Sequence, residues 1–234
     1  MSKATLPELD NSLYPQVWEQ QTFDNAQTLL MAMLLGKVSP DPYLFTKQLQ
    51  ANDTYQEWIT ASIFGRYIQH SFAALYGQSE DSFNRDIPVL FRNELMRHTQ
   101  YLPLEQIVFM AGNMPKKARQ ERFFTTTLNP ATVIVGAQKL KHDAGKSLVI
   151  NRQAVIINQI RVASKRVLGF PLRHNKRTSE RIRNEVLILG FDDLRLVDEH
   201  HISHDIMHHK VEQETASTAI LANTDVLLRC YELR

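Results

Sequence analysis

Cysteine is almost missing from this chain, with one thiol, Cys230, among 234 residues. A lone cysteine closes no internal disulfide, so folding does not require an oxidising compartment. It lies in the strand-like run Val226-Leu227-Leu228-Arg229-Cys230-Tyr231. Apart from Arg229, no neighbour in sequence would lower its pKa, and it reads as a structural thiol rather than a nucleophile. Long apolar runs are also missing. Stretches such as Ala154-Val155-Ile156-Ile157 and Val186-Leu187-Ile188-Leu189 fall far short of a bilayer-spanning helix, and no membrane role is expected. The net charge is only +2, which gives no broad basic field for nucleic acid. The amino terminus lacks the basic flank and apolar stretch of a secretory leader. The expected location is therefore the cytoplasm, or a host cytosol reached by a secretion route that ignores such leaders.

Apolar residues make up 43% of the chain, enough for a sizeable core. Residues 1–12 are polar and proline-containing and read as a mobile tail. Helical spacing of apolar residues predicts helices over 13–36, 42–51, 54–77 (with Asp53 as its cap) and 81–99. The pattern then changes. Short apolar runs predict strands at 107–110 and 123–127, and Asn129-Pro130 opens a helix to about 142. Further strands are expected at 147–150, 154–162, 185–190, 193–198 and 226–232. The expected fold is α+β: one domain over 13–234, with a helical part (13–100) packed on a mixed or antiparallel β-sandwich core (101–234).

Three tempting motifs fall away. Gly145-Lys146-Ser147 resembles the tail of a phosphate loop, but the required earlier glycine is Leu140. His200, His201, His204, His208 and His209 contain two pairs at helical spacing. The segment has no apolar face and no glutamate inside a zinc-binding frame, so a solvated connection is expected and no metal; a zinc hydrolase is the minority alternative. From Arg161 to Arg183, eight Lys or Arg residues stand against Glu180 alone. Only Phe170 interrupts them, so stacking platforms for bases are absent. This stretch reads equally as a solvated loop or as a recognition loop for a polyanion or an acidic protein surface, with Phe170 and Arg183 as target contacts.

What remains is Phe124-Thr125-Thr126-Thr127-Leu128-Asn129-Pro130-Ala131 and, sixty residues on, Asn184-Glu185-Val186-Leu187-Ile188-Leu189. In the first an apolar strand ends in three hydroxyls and turns into a helix. In the second a carboxylate stands at the mouth of an apolar strand. Together they resemble the aromatic-Ser-Thr-Ser strand and the catalytic glutamate strand of mono-ADP-ribosyltransferases. Ile107–Gly112 falls where that family's first strand ends in Arg-Gly. The resemblance covers about 104–232.

The resemblance implies a core of ADP-ribosyltransferase type with NAD as substrate. Glu185 would be the catalytic carboxylate, stabilising positive charge on the ribose as nicotinamide leaves. Thr125 would hold it by a hydrogen bond. Ala111, Gly112, Thr126, Thr127 and Asn129 would contact NAD. Two positions depart from the family pattern. Ala111 stands where an arginine is expected, with Arg92, Arg97 and Arg122 as unranked substitutes. Arg183 stands two residues before Glu185, where members that modify arginine carry a second glutamate. A cation there would repel an arginine acceptor. The implied acceptor is therefore another side chain of a host protein, with a threonine of ubiquitin as one candidate, and the enzyme is expected to be a monomer. The alternative is an inactive binding module on the same fold.

Overall fold

The structure is a computed structural model that describes residues 3–61, 92–93, 95–145, 154–172, 184–202 and 225–234. The elements run α1 (Leu9–Leu13), β1 (Gln16–Trp18), β2 (Gln21–Phe23), α2 (Ala26–Leu34), α3 (Pro42–Ala51) and α4 (Asp53–Ala61). After helical residues 92–93 and 95–98 come β3 (Gln100–Tyr101), β4 (Ile107–Ala111), α5 (Ala118–Glu121), β5 (Phe124–Thr127) and α6 (Pro130–Gly145). The chain continues through β6 (Val155–Val162), β7 (Leu168–Pro171), β8 (Glu185–Gly190), β9 (Leu194–Ile202) and β10 (Val226–Leu233).

The amino-terminal segment is docked, which corrects the expectation of a mobile tail over 1–12 for its described part. Leu6, Leu9 and Leu13 are buried, and Leu6 N–H donates to the Tyr101 carbonyl at 2.8 Å. Trp58 donates its indole N–H to the Pro7 carbonyl at 2.8 Å, and Lys3 Nζ reaches the Thr99 hydroxyl. Apolar burial holds this segment more strongly than its polar composition frees it.

The single helix expected over 13–36 is three elements. Pro15 has no N–H to continue a helix, and Glu19 and Gln20 take positive φ (46° and 68°) in the turn between β1 and β2. Asn25 then caps α2 through Thr28 N–H at 2.9 Å. Asp41 caps α3 through Tyr43 and Leu44 N–H, with Pro42 at the first helical position. The cap of α4 is Asn52, bonded to Tyr55 N–H at 3.0 Å, rather than Asp53.

Eight strands form one mixed sheet in the order β3-β7-β8-β5-β4-β6-β10-β9. Among the described strands of this sheet, only β6 and β10 pair with each other in parallel, and Thr5 adds an isolated parallel bridge to Tyr101 of β3. β1 and β2 form a separate two-stranded sheet, and the described strands of the expected sandwich core all join the large mixed sheet. It does consist of two four-stranded halves, because β5 and β4 share one residue pair, Phe109 opposite Thr127. One hydrophobic cluster runs from Leu6 to Leu233 and takes in the helices and the sheet. A second, smaller one joins Leu95, Phe170, Leu172, Leu187 and Leu189. The second half of the 54–77 helix, residues 81–91, the 147–150 strand and most of the basic loop lie outside the described residues.

Candidate active site

The apolar alternation of Val186, Leu187, Ile188 and Leu189, all fully buried, pins β8 in the middle of its half-sheet. Glu185 is its first residue and is half-buried. The antiparallel register sets Glu185 directly opposite Thr127 and sets Leu187 opposite Thr125. All four side chains therefore share one face of the sheet. Directly opposed side chains have Cβ atoms about 5 Å apart, and diagonal ones stand about 7–8 Å apart. Thr127 is thus the neighbour of the carboxylate, and Thr125 is one step removed. This corrects the expected clamp, since the Thr125 hydroxyl makes no hydrogen bond among the described residues and stands opposite buried Leu187.

Thr126 points to the opposite face, where its hydroxyl donates to the Val186 carbonyl at 2.9 Å. It serves strand pairing and is not available to a ligand. Asn129 is fully buried and equally committed. Its Oδ1 accepts from Thr132 N–H at 3.1 Å, capping α6. Its own N–H donates to Thr127 Oγ1 at 3.0 Å. Its Nδ2 donates to the Pro42 carbonyl and to Asn184 Oδ1, at 3.1 and 3.0 Å. The expected contact of Asn129 with NAD gives way to a supporting role beneath the site.

Asn184 was not singled out in the sequence. It takes a left-handed φ of 45°, a conformation that asparagine tolerates better than most residues. Its Oδ1 also accepts from Thr46 Oγ1 at 2.8 Å, and Tyr55 shares a hydrogen bond with it. Burial pushes the Tyr55 phenol up from its ordinary pKa, and the bond to Asn184 opposes that shift. The signal available in the sequence was an asparagine directly before a buried strand. Its partners in α3 and α4, however, lie more than a hundred residues away.

Ala111 and Gly112 end β4 against α6. A Cβ on Gly136 would stand 3.6 Å from the Ala111 methyl, and one on Gly112 would stand 3.0 Å from Leu140 Cδ1. Gly112 takes φ +80°, which glycine alone adopts freely. The carbonyls of Met110 and Gly112 are held by Asn158 Nδ2 at 3.2 and 2.7 Å. Continuing the β4–β5 register past Phe109–Thr127 would bring Ala111 opposite Thr125, but that rung is not made. The ladder stops where the two motifs face each other.

Of the three substitute cations, Arg92 is engaged elsewhere. Its guanidinium donates to the carbonyls of Glu121 and Leu189, and Leu189 lies about 13 Å along β8 from Glu185. Arg122 is exposed at the far end of β5, with φ 50°. Arg97 is exposed on the helical segment whose Leu95 covers the Glu185 face.

Phe170 contradicts its expected role in target recognition. It is part of β7, opposite Leu187, and is buried in the second cluster. Four apolar-compatible residues, Leu168–Pro171, form a strand inside what reads as a basic loop. Arg183, His204, His208 and His209 lie outside the described residues. His200 and His201 belong to β9 and alternate across it. No group of three metal-binding side chains occurs among the described residues, and none of their helices is long and apolar enough to cross a membrane. Cys230 is half-buried, and burial with the nearby Asp198 carboxylate pushes its thiol pKa up. This favours the protonated thiol and not a nucleophile.

Comparison of the chain with protein-family models, with curated proteins and with solved structures returns no match.

Proposed function

We propose that this chain is an NAD-dependent mono-ADP-ribosyltransferase that modifies a side chain of a host protein and releases nicotinamide. The observation that carries the reading is register. A half-buried glutamate at a strand mouth faces a threonine across the ladder, on the same side of the sheet. The three strands to which the resemblance assigns its motifs, β8, β5 and β4, are also consecutive neighbours. We read the sheet as one of ADP-ribosyltransferase type on that ground.

In this reading the Glu185 carboxylate accepts a hydrogen bond from a ribose hydroxyl. It stabilises positive charge at the anomeric carbon as the carbon–nitrogen bond breaks and nicotinamide leaves with the electron pair. The acceptor oxygen of the target then bonds that carbon and loses its proton. Thr127, rather than Thr125, steadies the carboxylate. Arg183 disfavours an arginine acceptor, and a threonine hydroxyl of ubiquitin is the candidate to test first.

The test is incubation of the full chain with labelled NAD, eukaryotic cell lysate and purified ubiquitin. Glu185→Gln is expected to lower labelling by roughly 100-fold or more, and Thr127→Ala by about tenfold. Thr125→Ala is expected to stay within about twofold. Labelling that survives in Glu185→Gln overturns the reading.

A second reading, an inactive binding module, is favoured by one observation. The Ala111 methyl packs at α6, where an arginine is expected to meet the NAD phosphates. Absence of NAD affinity by calorimetry, with a protein partner still captured, selects it.

A further inference from the structure

The two motifs are tied together from below by side chains that neither motif contains. We infer that Asn184 is a positioning residue for Glu185, acting through a buried polar knot with Asn129, Thr46 and Tyr55. The inference rests on the proposed reading for its catalytic meaning, but not for its structural content.

The knot joins four parts of the chain. Thr46 comes from α3, Tyr55 from α4, Asn129 from the turn after β5, and Asn184 from the turn before β8. All four are buried, at 2%, 4%, 0% and 3% exposure. Asn184 Oδ1 accepts from Thr46 Oγ1 at 2.8 Å and from Asn129 Nδ2 at 3.0 Å. Asn129 Nδ2 also lies 3.4 Å from Thr46 Oγ1, and Thr46 Oγ1 contacts its own helix at the Pro42 carbonyl, at 2.7 Å. The backbone completes the link, because Leu128 N–H donates to the Asn184 carbonyl at 3.0 Å and Leu172 N–H to the Glu185 carbonyl at 2.8 Å.

The Glu185 backbone is tied to this assembly on both sides, through Asn184 and through Leu172 N–H. Its preceding residue is held in a left-handed conformation, and the side chain of that residue is fixed at three partners, Thr46, Asn129 and Tyr55. The same knot reaches Thr127 through Asn129, whose N–H bonds the Thr127 hydroxyl. The knot, through the Asn184 side chain and the Asn129 backbone N–H, therefore reaches both sides of the Glu185–Thr127 pair. A buried acceptor with two donors is lost as a unit when any member is removed, because the remaining groups are left unsatisfied.

The experiment uses the full chain and NAD alone. Nicotinamide release is measured for wild type, Asn184→Gly, Asn184→Asp and Thr46→Val. Glycine keeps the positive φ and removes the acceptor, whereas aspartate keeps both. The expected result for Asn184→Gly and Thr46→Val is a kcat at least tenfold lower, with KM for NAD within about twofold. Asn184→Asp recovers most of the loss.

Amide hydrogen exchange gives a readout independent of turnover. Leu128 and Leu172 amides are expected to exchange faster in Asn184→Gly and Thr46→Val, and the Val155 amide, bonded to Asp225, to stay unchanged. Unaltered kcat together with unaltered exchange in Asn184→Gly overturns the inference. A wild type that releases no nicotinamide but shows the localised exchange change removes the catalytic reading and leaves Asn184 as the residue that sets the strand ends. No release and no localised change removes both.

Discussion

Asp10 shows most plainly what a single residue does here. Its Oδ1 accepts from Gln106 Nε2 at 2.7 Å and its Oδ2 from Ile107 N–H at 3.0 Å, at the first residue of β4. Burial raises its pKa from 3.8 to about 6, although both hydrogen bonds pull the other way. The folded state therefore binds this proton more tightly than the unfolded chain does. The resulting stability is fully present below about pH 4 and is lost as pH rises through about 6. Asp10→Asn is expected to flatten that slope, read as urea midpoints at pH 4.5 and 7. Gly136 supports an opposite kind of prediction. An added Cβ meets only an ordinary contact with Ala111, so Gly136→Ala is expected to gain about 0.5–1 kcal/mol from helix propensity in urea unfolding. Glu185 and the threonine triplet stand out in the sequence because their types are chemically distinctive, and the register sets them on neighbouring strands. That Thr127 rather than Thr125 stands opposite Glu185 was not legible, since only strand pairing separates two identical hydroxyls two positions apart.

Elements were legible wherever one period dominated. α3, β4, β5, β6, β8 and β10 lie within a few residues of where apolar spacing and the Asn129-Pro130 signal predict them. The stretch 13–36 was not, because Val17, Phe23 and Ala26 satisfy a helical period without forming one helix. There the breaker Pro15 and the cap Asn25 decide the outcome. β7 was hidden by charge on both sides. Its Gly169 is sharply constrained, since an added Cβ would stand 2.6 Å from the Leu187 carbonyl oxygen. Gly169→Ala is expected to destabilise the chain by about 1–3 kcal/mol, measured in urea. If the proposed activity holds, it also slows nicotinamide release, because β7 leads directly to Leu172, whose N–H holds the Glu185 carbonyl. The polar knot was invisible at this scale, as it joins α3 and α4 to turns that propensity treats as separate.

At the scale of the whole molecule, the α+β class followed from a helical first third and a strand-rich remainder, whereas the gathering of eight strands into one large sheet did not follow from either. The helical part is integral to the core, and Leu6, Leu9 and Leu13 bind it to the sheet side. Removing each buried leucine costs roughly 2–5 kcal/mol, so together they match the roughly 5–15 kcal/mol that holds a typical domain folded. A chain starting at Tyr14 is accordingly expected to lack a cooperative thermal transition and near-ultraviolet circular dichroism. Most neighbouring strands of the sheet share between two and eight rungs, but its two halves share one. A change of angle between the halves would break one rung, while a change anywhere else would break several. Spin labels at positions 111 and 125 straddle that join, and any reshaping of the sheet when a ligand arrives should appear first as a change in the distance between them.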